Sequence, residues 1–279
     1  MIAGNLGLKS DDEPLYFIGS AILEGEYTVT DEDVLLTERK GDVLLLTMNR
    51  LRRHHALNRA LSGQLADAVV TAEKDGINCI VLTGAGDKAF CAGADMLEAS
   101  GVEKPADDDD RISAFDSIGA FSQTPIPTIA AINGYCYGGG ARLAIGCDIL
   151  FASDNATFRL PGSEYGLVVG AATLPRLVGS SKAKELIFSA RKFTASDALS
   201  WGMLSAVYSQ SELLKEALQL ADEIANNSIS AVRESKRVID MATLSSEANR
   251  LEEEANKTLR GSDEQVARFR SATKKVTGR

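Results

Sequence analysis

The balance of apolar and polar positions changes character several times along the chain. Residues 1–33 show weak periodicity and read as an appended arm. From Val34 the pattern sharpens. VLLTERKGDVLLLTMNR holds two apolar runs around Lys40-Gly41-Asp42, which predicts a β-hairpin. In NRALSGQLADAVVTAEKD, Leu61, Leu65, Ala68, Val69 and Ala72 recur at helical spacing. CIVLTGAG, TIAAIN (128–133) and CDILFAS (147–153) are short apolar runs, the pattern of buried strands. GYCYGGGARLAIG passes from glycines into a helix, and the Asp run of PADDDD (105–110) reads as a solvated loop. Strands alternating with helices predict an α/β fold whose parallel strands are joined by crossovers.

Past residue 180 the chain reads as almost all helix. SKAKELIFSA is one such segment, and T-A-S-D at 194–197 is a capping-box start for the next. Ser209 with Glu212 marks the start of SELLKEALQLADEIANN, where Leu214, Leu218, Ala221 and Ile224 form a stripe, and two or three more helices follow. The expected organisation is an arm over 1–33, an α/β core over 34–205 and a helical oligomerisation region over 206–279. Helices with one apolar stripe must pack on the core or on a neighbouring subunit.

Composition narrows the function classes. A chain of 279 residues buries a sizeable core without disulfides or metals. No apolar run approaches the ~18 residues that span a bilayer, and Asp11, Asp12 and Glu13 ahead of the first apolar stretch make a poor secretion signal. A net charge of −9 argues against a general nucleic-acid binder. Cys79, Cys91, Cys136 and Cys147 hold no C-x-x-C pair and read as free thiols of a reducing, cytoplasmic compartment. His54 and His55 are the only histidines, and no G-x-S-x-G elbow accompanies them. With no H-x-x-x-H and no EF-hand pattern, no metal site is expected.

The chemistry concentrates in two segments of small residues. KAFCAGADMLEAS (88–100) sets Ala92, Gly93 and Ala94 ahead of Asp95 and Met96, so backbone N–H groups can approach a ligand closely. INGYCYGGGARLAIGCDILFAS (132–153) opens a helix with glycines 138–140, whose free N–H groups lie at the positive end of the dipole. It is neither G-x-G-x-x-G nor a P-loop, so a nucleotide fingerprint fails. Two N–H groups from separate loops can make an oxyanion hole.

LLLTMNR, HHALNRAL, IVLTGAGDKAFCAGADM, PTIAAINGYCYGGGARLAIGCDILFAS, LPGSEYGL and RLVGSSKAKELIFSARKFTASDALSWGML, in that order, resemble the crotonase (enoyl-CoA hydratase/isomerase) superfamily from about Val34 to the C-terminus. The resemblance implies a crotonase-like spiral of ββα units with a C-terminal helical region, assembled as a homotrimer or homohexamer. It implies an acyl-CoA thioester substrate, with CoA entering as part of that substrate and no covalently bound cofactor. Ala94 and Gly139 would donate their N–H groups to the thioester carbonyl. The HHALN loop would contact CoA, with Ala56 and Leu57 near the adenine and Arg50, Arg52, Arg53, His54 and His55 lending positive charge for the phosphates. Ala92, Asp95 and Met96 would flank the same ligand, and Phe269, Lys274 or Lys275 of the last helix would reach CoA, often that of an adjacent subunit.

The sequence departs from that family where hydratases carry two glutamates. G-G-G-x-E-L has Arg142 at the acid, and F-x-x-P-E has Gly162. The family's P-G-x-G-G-T loop is missing, GLVVGAATLPRLVG is shorter, and Leu51 replaces the usual proline. Glu164, Asp95 and Glu98 remain as acid/base candidates. Glu164 is favoured, because two residues beyond Gly162 an extended chain presents the same face ~6–7 Å further on. Its bland readings are a surface acid or an ion pair with Arg142. Arg142 could itself hold a substrate carboxylate or a developing enolate. The expected function is an acyl-CoA enzyme that stabilises a thioester enolate, a lyase or isomerase with slow hydration of straight chains. The alternatives are a decarboxylase or hydrolase of a carboxylated or cyclic acyl-CoA using Arg142, and a non-catalytic acyl-CoA-binding or scaffold subunit.

Overall fold

The computed structural model describes residues 33–104 and 113–278; the arm, except Asp33, and the Asp run at 105–110 lie outside the described residues. The strands are β1 (Leu35–Lys40), β2 (Val43–Met48), β3 (Cys79–Gly84), β4 (Ala89–Cys91), β5 (Thr128–Ile132), β6 (Tyr135–Tyr137), β7 (Ile149–Ser153), β8 (Thr157–Arg159), β9 (Phe193–Thr194) and β10 (Ala206–Tyr208). The helices are α1 (Arg59–Lys74), α2 (Met96–Ala99), α3 (Asp116–Gln123), α4 (Gly139–Ile145), α5 (Leu174–Val178), α6 (Ser180–Ser189), α7 (Ala195–Ser200), α8 (Leu213–Ala225), α9 (Ile229–Thr243), α10 (Ser246–Leu259) and α11 (Asp263–Thr277).

Among the described residues the strands form two sheets, β1-β2-β3-β5-β7-β10 and β4-β6-β8-β9. The β1–β2 hairpin and the β8–β9 pair are antiparallel, and every other pairing is parallel. From β3 to β8 consecutive strands go alternately to the larger and the smaller sheet, each pair followed by helix. This is the spiral of ββα units expected from the sequence.

The period of two along a strand explains why the apolar runs are continuous. Ile80, Leu82, Ala130, Ile132, Leu150 and Ala152 face the main core, which also takes Leu61, Leu65 and Val69 of α1. Their neighbours Cys79, Val81, Ile129, Ala131 and Phe151 face a second layer built on α8. That layer buries Leu213, Ala217 and Ala221; of the predicted α8 stripe Ala221 is buried and Leu218 and Ile224 pack half-buried against the layer, while Leu214 is exposed and Leu213 is covered instead. The helix begins at Leu213 rather than at Ser209. The region past residue 180 also contains β9 and β10, two and three residues long, too short for a periodic signal. The T-A-S-D capping box forms as expected.

Helices α9 to α11 dock differently. Among the described residues α9 buries no side chain, α10 buries Glu252, and α11 buries Gln265 and Thr273. Lys236 donates to the Ile126 carbonyl at 3.0 Å and to Asp148 at 2.8 Å, and Arg233 donates to the Ile77 carbonyl at 3.2 Å. Arg176 pairs with Asp240 at 3.4 Å. The expected apolar stripes therefore do not attach these helices to the core; Val238, Ile239 and Met241 of α9 face outward.

Candidate active site

The two segments of small residues meet at the N-terminus of α4. Leu57 donates its N–H to the Gly93 carbonyl at 2.7 Å and accepts from the Asp95 N–H at 2.8 Å. This parallel bridge grips the residues either side of Ala94 and leaves the Ala94 N–H unpaired among the described residues. Gly93 has φ +103, and a Cβ there would stand 2.8 Å from the Tyr137 carbonyl and 3.2 Å from the Gly139 nitrogen. Glycine alone satisfies both the backbone angle and the contact. Gly138 caps α4, which leaves Gly139 as its first residue with no intrahelical acceptor for its N–H. A Cβ on Gly139 would lie 3.5 Å from the Ala94 nitrogen and 3.4 Å from Leu57 and Phe115. Both expected donors thus border one small space, walled by Leu57 and Phe115.

The preceding loop corrects part of the basic CoA surface. His54 and His55 both have positive φ, 47 and 54, and the reversal turns His55 inward. Its Nδ1 accepts the Arg50 N–H at 3.0 Å, and its Nε2 donates to the Ala85 carbonyl at 3.0 Å. Burial pushes the imidazole pKa down to about 4, so His55 is neutral at pH 7 and gives no charge to a phosphate. Arg50 also points inward, to the Ala56 carbonyl and, at 2.9 Å, to Asp95. Arg53 is exposed and held by Glu103 at 3.0 Å, while Arg52 and His54 are exposed. Ala56 and Leu57 are buried, and the Ala92 N–H donates to the His54 carbonyl at 2.9 Å. Met96, half-buried, starts α2. Phe269 packs edge-on against Tyr165 of its own chain at 6.1 Å, and Lys274 and Lys275 are exposed on α11.

The three carboxylates expected near the site differ in freedom. Asp95 is buried, caps α2 through the N–H groups of Leu97 and Glu98, and pairs with Arg50. Glu98 accepts the Arg59 N–H at 2.9 Å. Glu164 is exposed and paired with Arg159, which also donates to the Ala190 carbonyl at 2.7 Å. The suggested Glu164–Arg142 ion pair does not form, because Arg159 takes Glu164 and Glu252 takes Arg142. Gly162 cannot simply be exchanged for the missing glutamate. A Cβ there would stand 2.8 Å from the Leu167 carbonyl and from Val169. The Cys91 thiol beside the donors is pushed up to about 12 by burial and is no thiolate nucleophile.

Arg142, in the last turn of α4, lines a cavity of about 340 Å³ with Phe115, Ile118, Asp148, Arg176 and Asp240. Burial and the neighbouring Asp148 push the Asp240 pKa up. Glu252 of α10 and the Arg159 clamp escaped the sequence reading. Glu252 meets its donors 82 and 80 residues away, and Arg159 reaches Glu164 five residues on and the Ala190 carbonyl 31 residues on, with no local motif to announce either. Among the described residues no group of three or more His, Cys, Asp or Glu could hold a metal.

A spiral of ββα units whose strands pass alternately between two sheets defines the crotonase fold. The family model for enoyl-CoA hydratase/isomerase matches residues 38–274, and the chain belongs to that family. It is 35% identical over 210 residues to the short-chain-enoyl-CoA hydratase of Clostridium acetobutylicum, covering 74% of this chain and 80% of that one. It is 34% identical over 203 residues to the carnitinyl-CoA dehydratase of Proteus mirabilis, covering 71% and 77%. The solved enoyl-CoA hydratase/isomerase of Pseudoalteromonas atlantica superposes with a TM-score of 0.77 at 30% identity, over 86% of this chain and 97% of that one. Among the described residues no helix is long and apolar enough to cross a membrane.

The buried imidazole gives a pH signature. His55 titrates at 6.5 in the unfolded chain and at about 4 in the folded one. Its stabilisation is complete above 6.5 and is lost as pH falls toward 4, because the unfolded state takes the proton first. The loss is about 3 kcal/mol for a shift of this size. Urea unfolding from pH 7 to pH 4 should show wild type losing about that much more stability than His55→Gln. Parallel pH profiles would show that His55 is protonated in the fold.

Proposed function

We propose that this acyl-CoA enzyme binds a CoA thioester with its carbonyl oxygen between the Ala94 and Gly139 N–H groups and stabilises the enolate formed at that oxygen. The observation that carries the reading is the convergence of two unpaired donors on one small space walled by the apolar side chains of Leu57 and Phe115. Backbone donors fixed by β4 and α4 need no reorganisation as charge develops on the oxygen, the condition under which such donors act most strongly. Residues 56–57, 92–96 and the last helix would hold the CoA portion. The comparisons support the acyl-CoA chemistry; the direction of reaction and the choice between lyase and isomerase belong to this proposal.

Among the three carboxylates Glu164 is the one proposed to move a proton. Its pair with Arg159 is exposed and worth at most about 1 kcal/mol, so it can be broken. Asp95 is buried with several donors and Glu98 caps α1, so neither is free to act. A second reading is favoured by the position of Arg142 at the cavity beside Phe115. There it would hold the carboxylate of an acidic acyl group, for decarboxylation or hydrolysis. A scaffold that binds acyl-CoA without converting it is the outcome if no ester is turned over.

Replacing Gly139 by Val puts methyl groups where the thioester oxygen would lie, 3.5 Å from the Ala94 nitrogen at Cβ. Turnover should fall about 10²–10³-fold, the cost of losing one oxyanion donor. Unchanged kcat and unchanged acyl-CoA affinity would remove the oxyanion assignment.

With Arg142 and Gly162 at the hydratase positions, hydration of crotonyl-CoA should be slower than in a two-glutamate enzyme by at least about 10²-fold. Glu164→Gln should abolish the residual rate with CoA affinity nearly unchanged. Arg142→Leu should raise KM selectively for acidic acyl groups. Fast hydration that ignores Glu164→Gln would mean that the proton carrier lies elsewhere.

The outward Val238, Ile239 and Met241 of α9 fit a face covered by a second copy, as in the trimer or hexamer expected from the family resemblance. Sedimentation at micromolar protein should show at least a trimer, and Val238→Lys with Met241→Lys should shift it toward monomer. A monomeric wild type would refute the assembly.

A further inference from the structure

Helix α10 is anchored by a buried acid. Glu252 is 5% exposed, while Leu251 on the same helix stands in solvent. A buried carboxylate is costly unless partners compensate it. Glu252 accepts the Gly170 N–H at 3.0 Å and the Ala172 N–H at 2.8 Å, and Oε1 lies 3.4 Å from the Arg142 guanidinium. One turn later Asn256 accepts the Val168 N–H at 3.0 Å and donates to the Val168 carbonyl at 2.7 Å. Residues four apart share a helix face, so α10 hydrogen-bonds the backbone of 168–172 much as a neighbouring strand would. Just past its end Arg260 stands 5.5 Å over the Phe115 ring. Arg142 and Phe115 line the same cavity.

We propose that Glu252 is a positioning residue: it orients the Arg142 guanidinium toward the cavity that Phe115, a wall of the proposed donor space, also lines, so that selection of an acyl group bearing a carboxylate depends on helix α10. This rests on the second reading of Arg142 given above. The Arg142 side chain is 32% exposed and would sample several rotamers if unheld. A guanidinium carries five donors in a fixed fork, and one contact to Glu252 leaves the rest of the fork for a second carboxylate. Glu252 also brings a negative charge that opposes an anionic substrate. Orientation and counter-charge therefore predict opposite effects when Glu252 is changed.

The test uses succinyl-CoA and butyryl-CoA, esters of equal chain length that end in a carboxylate and a methyl group. Affinities are measured by calorimetric titration for the wild type, E252Q, E252D, R142L and N256A. Wild type should prefer succinyl-CoA by about tenfold or more, as a charge-assisted hydrogen bond provides, and R142L should erase the preference. E252Q should lower the ratio about fivefold or more while butyryl-CoA affinity stays within about twofold. E252D keeps the charge but withdraws the carboxylate by one methylene; it should lower the ratio likewise, and it decides the matter if E252Q does not fold. N256A loosens the same loop without touching Arg142 and should keep the ratio. A ratio that is unchanged or raised in the Glu252 variants, with the preference intact in wild type and lost in R142L, overturns the positioning role alone. No preference in wild type overturns the reading of Arg142 and this inference together.

Discussion

Cys91 on β4 and Gly140 on α4 pack with their backbones in contact: a Cβ at 140 would stand 2.4 Å from the Cys91 carbonyl oxygen and 2.6 Å from its Cβ. Gly93 makes a similar approach to Tyr137 and Gly139 one step along the chain. These contacts set the distance between the smaller sheet and α4, and with it the separation of the two N–H groups that face the proposed oxyanion space. The donors are held by chain geometry rather than by side-chain rotamers. Leu57 adds the third constraint, since its two hydrogen bonds fix the residues before and after Ala94. Around this junction lie the cavity along α4, the inward loop at 50–57, and the 168–172 segment that α10 hydrogen-bonds.

What the sequence made legible is what neighbouring residues decide. The Lys40-Gly41-Asp42 hairpin, α1 and the buried strands follow from periodicity and turn chemistry, and both glycine-rich segments could be read as sources of free N–H groups. The errors have a common cause in longer-range geometry. His55 reads as a cation until the positive φ values at 54 and 55 turn it beneath the loop, where burial keeps it neutral. Arg50 follows it inward to Asp95. Glu252 sits in an E-E-E run that looks like any solvated helix face, and its partners Gly170 and Ala172 are 82 and 80 residues away. No local pattern carries that information. Leu218, Ala221 and Ile224 of the predicted α8 stripe do meet the second layer, and only its first position differs: the sheet surface, and not the helix alone, decides that Leu213 rather than Leu214 is covered.

The helices after β10 are attached in two physical modes. Helix α8 is held by apolar contact with one face of the larger sheet. Helices α9 and α10 are held by directed polar groups: Arg233, Lys236 and Asp240 on one, Glu252 and Asn256 on the other. Apolar contact is non-directional and tolerates sliding, whereas hydrogen bonds to fixed carbonyl and N–H groups select one register. The polar mode leaves the apolar side chains of α9 available on the outside and brings charged groups to the edge of the cavity.

The alternation of strands between the two sheets also governs how the chain can fold. The β3–β5 and β5–β7 pairings each close a loop that contains a strand of the other sheet. Phe90, Cys136 and Phe158 of the smaller sheet also share one core with Ile80, Ala130 and Leu150 of the larger, so each sheet buries its apolar face only when the other is in place. Pairings of this kind have high contact order, and their loop-closure entropy is spent before the contacts return it. The β1–β2 hairpin is the local exception, able to form within its own short stretch. The expected course is an early hairpin followed by slow, concerted winding of the spiral, so β4 and α4, which carry the two donors, come together late, with the larger sheet already assembling on both sides of them in sequence.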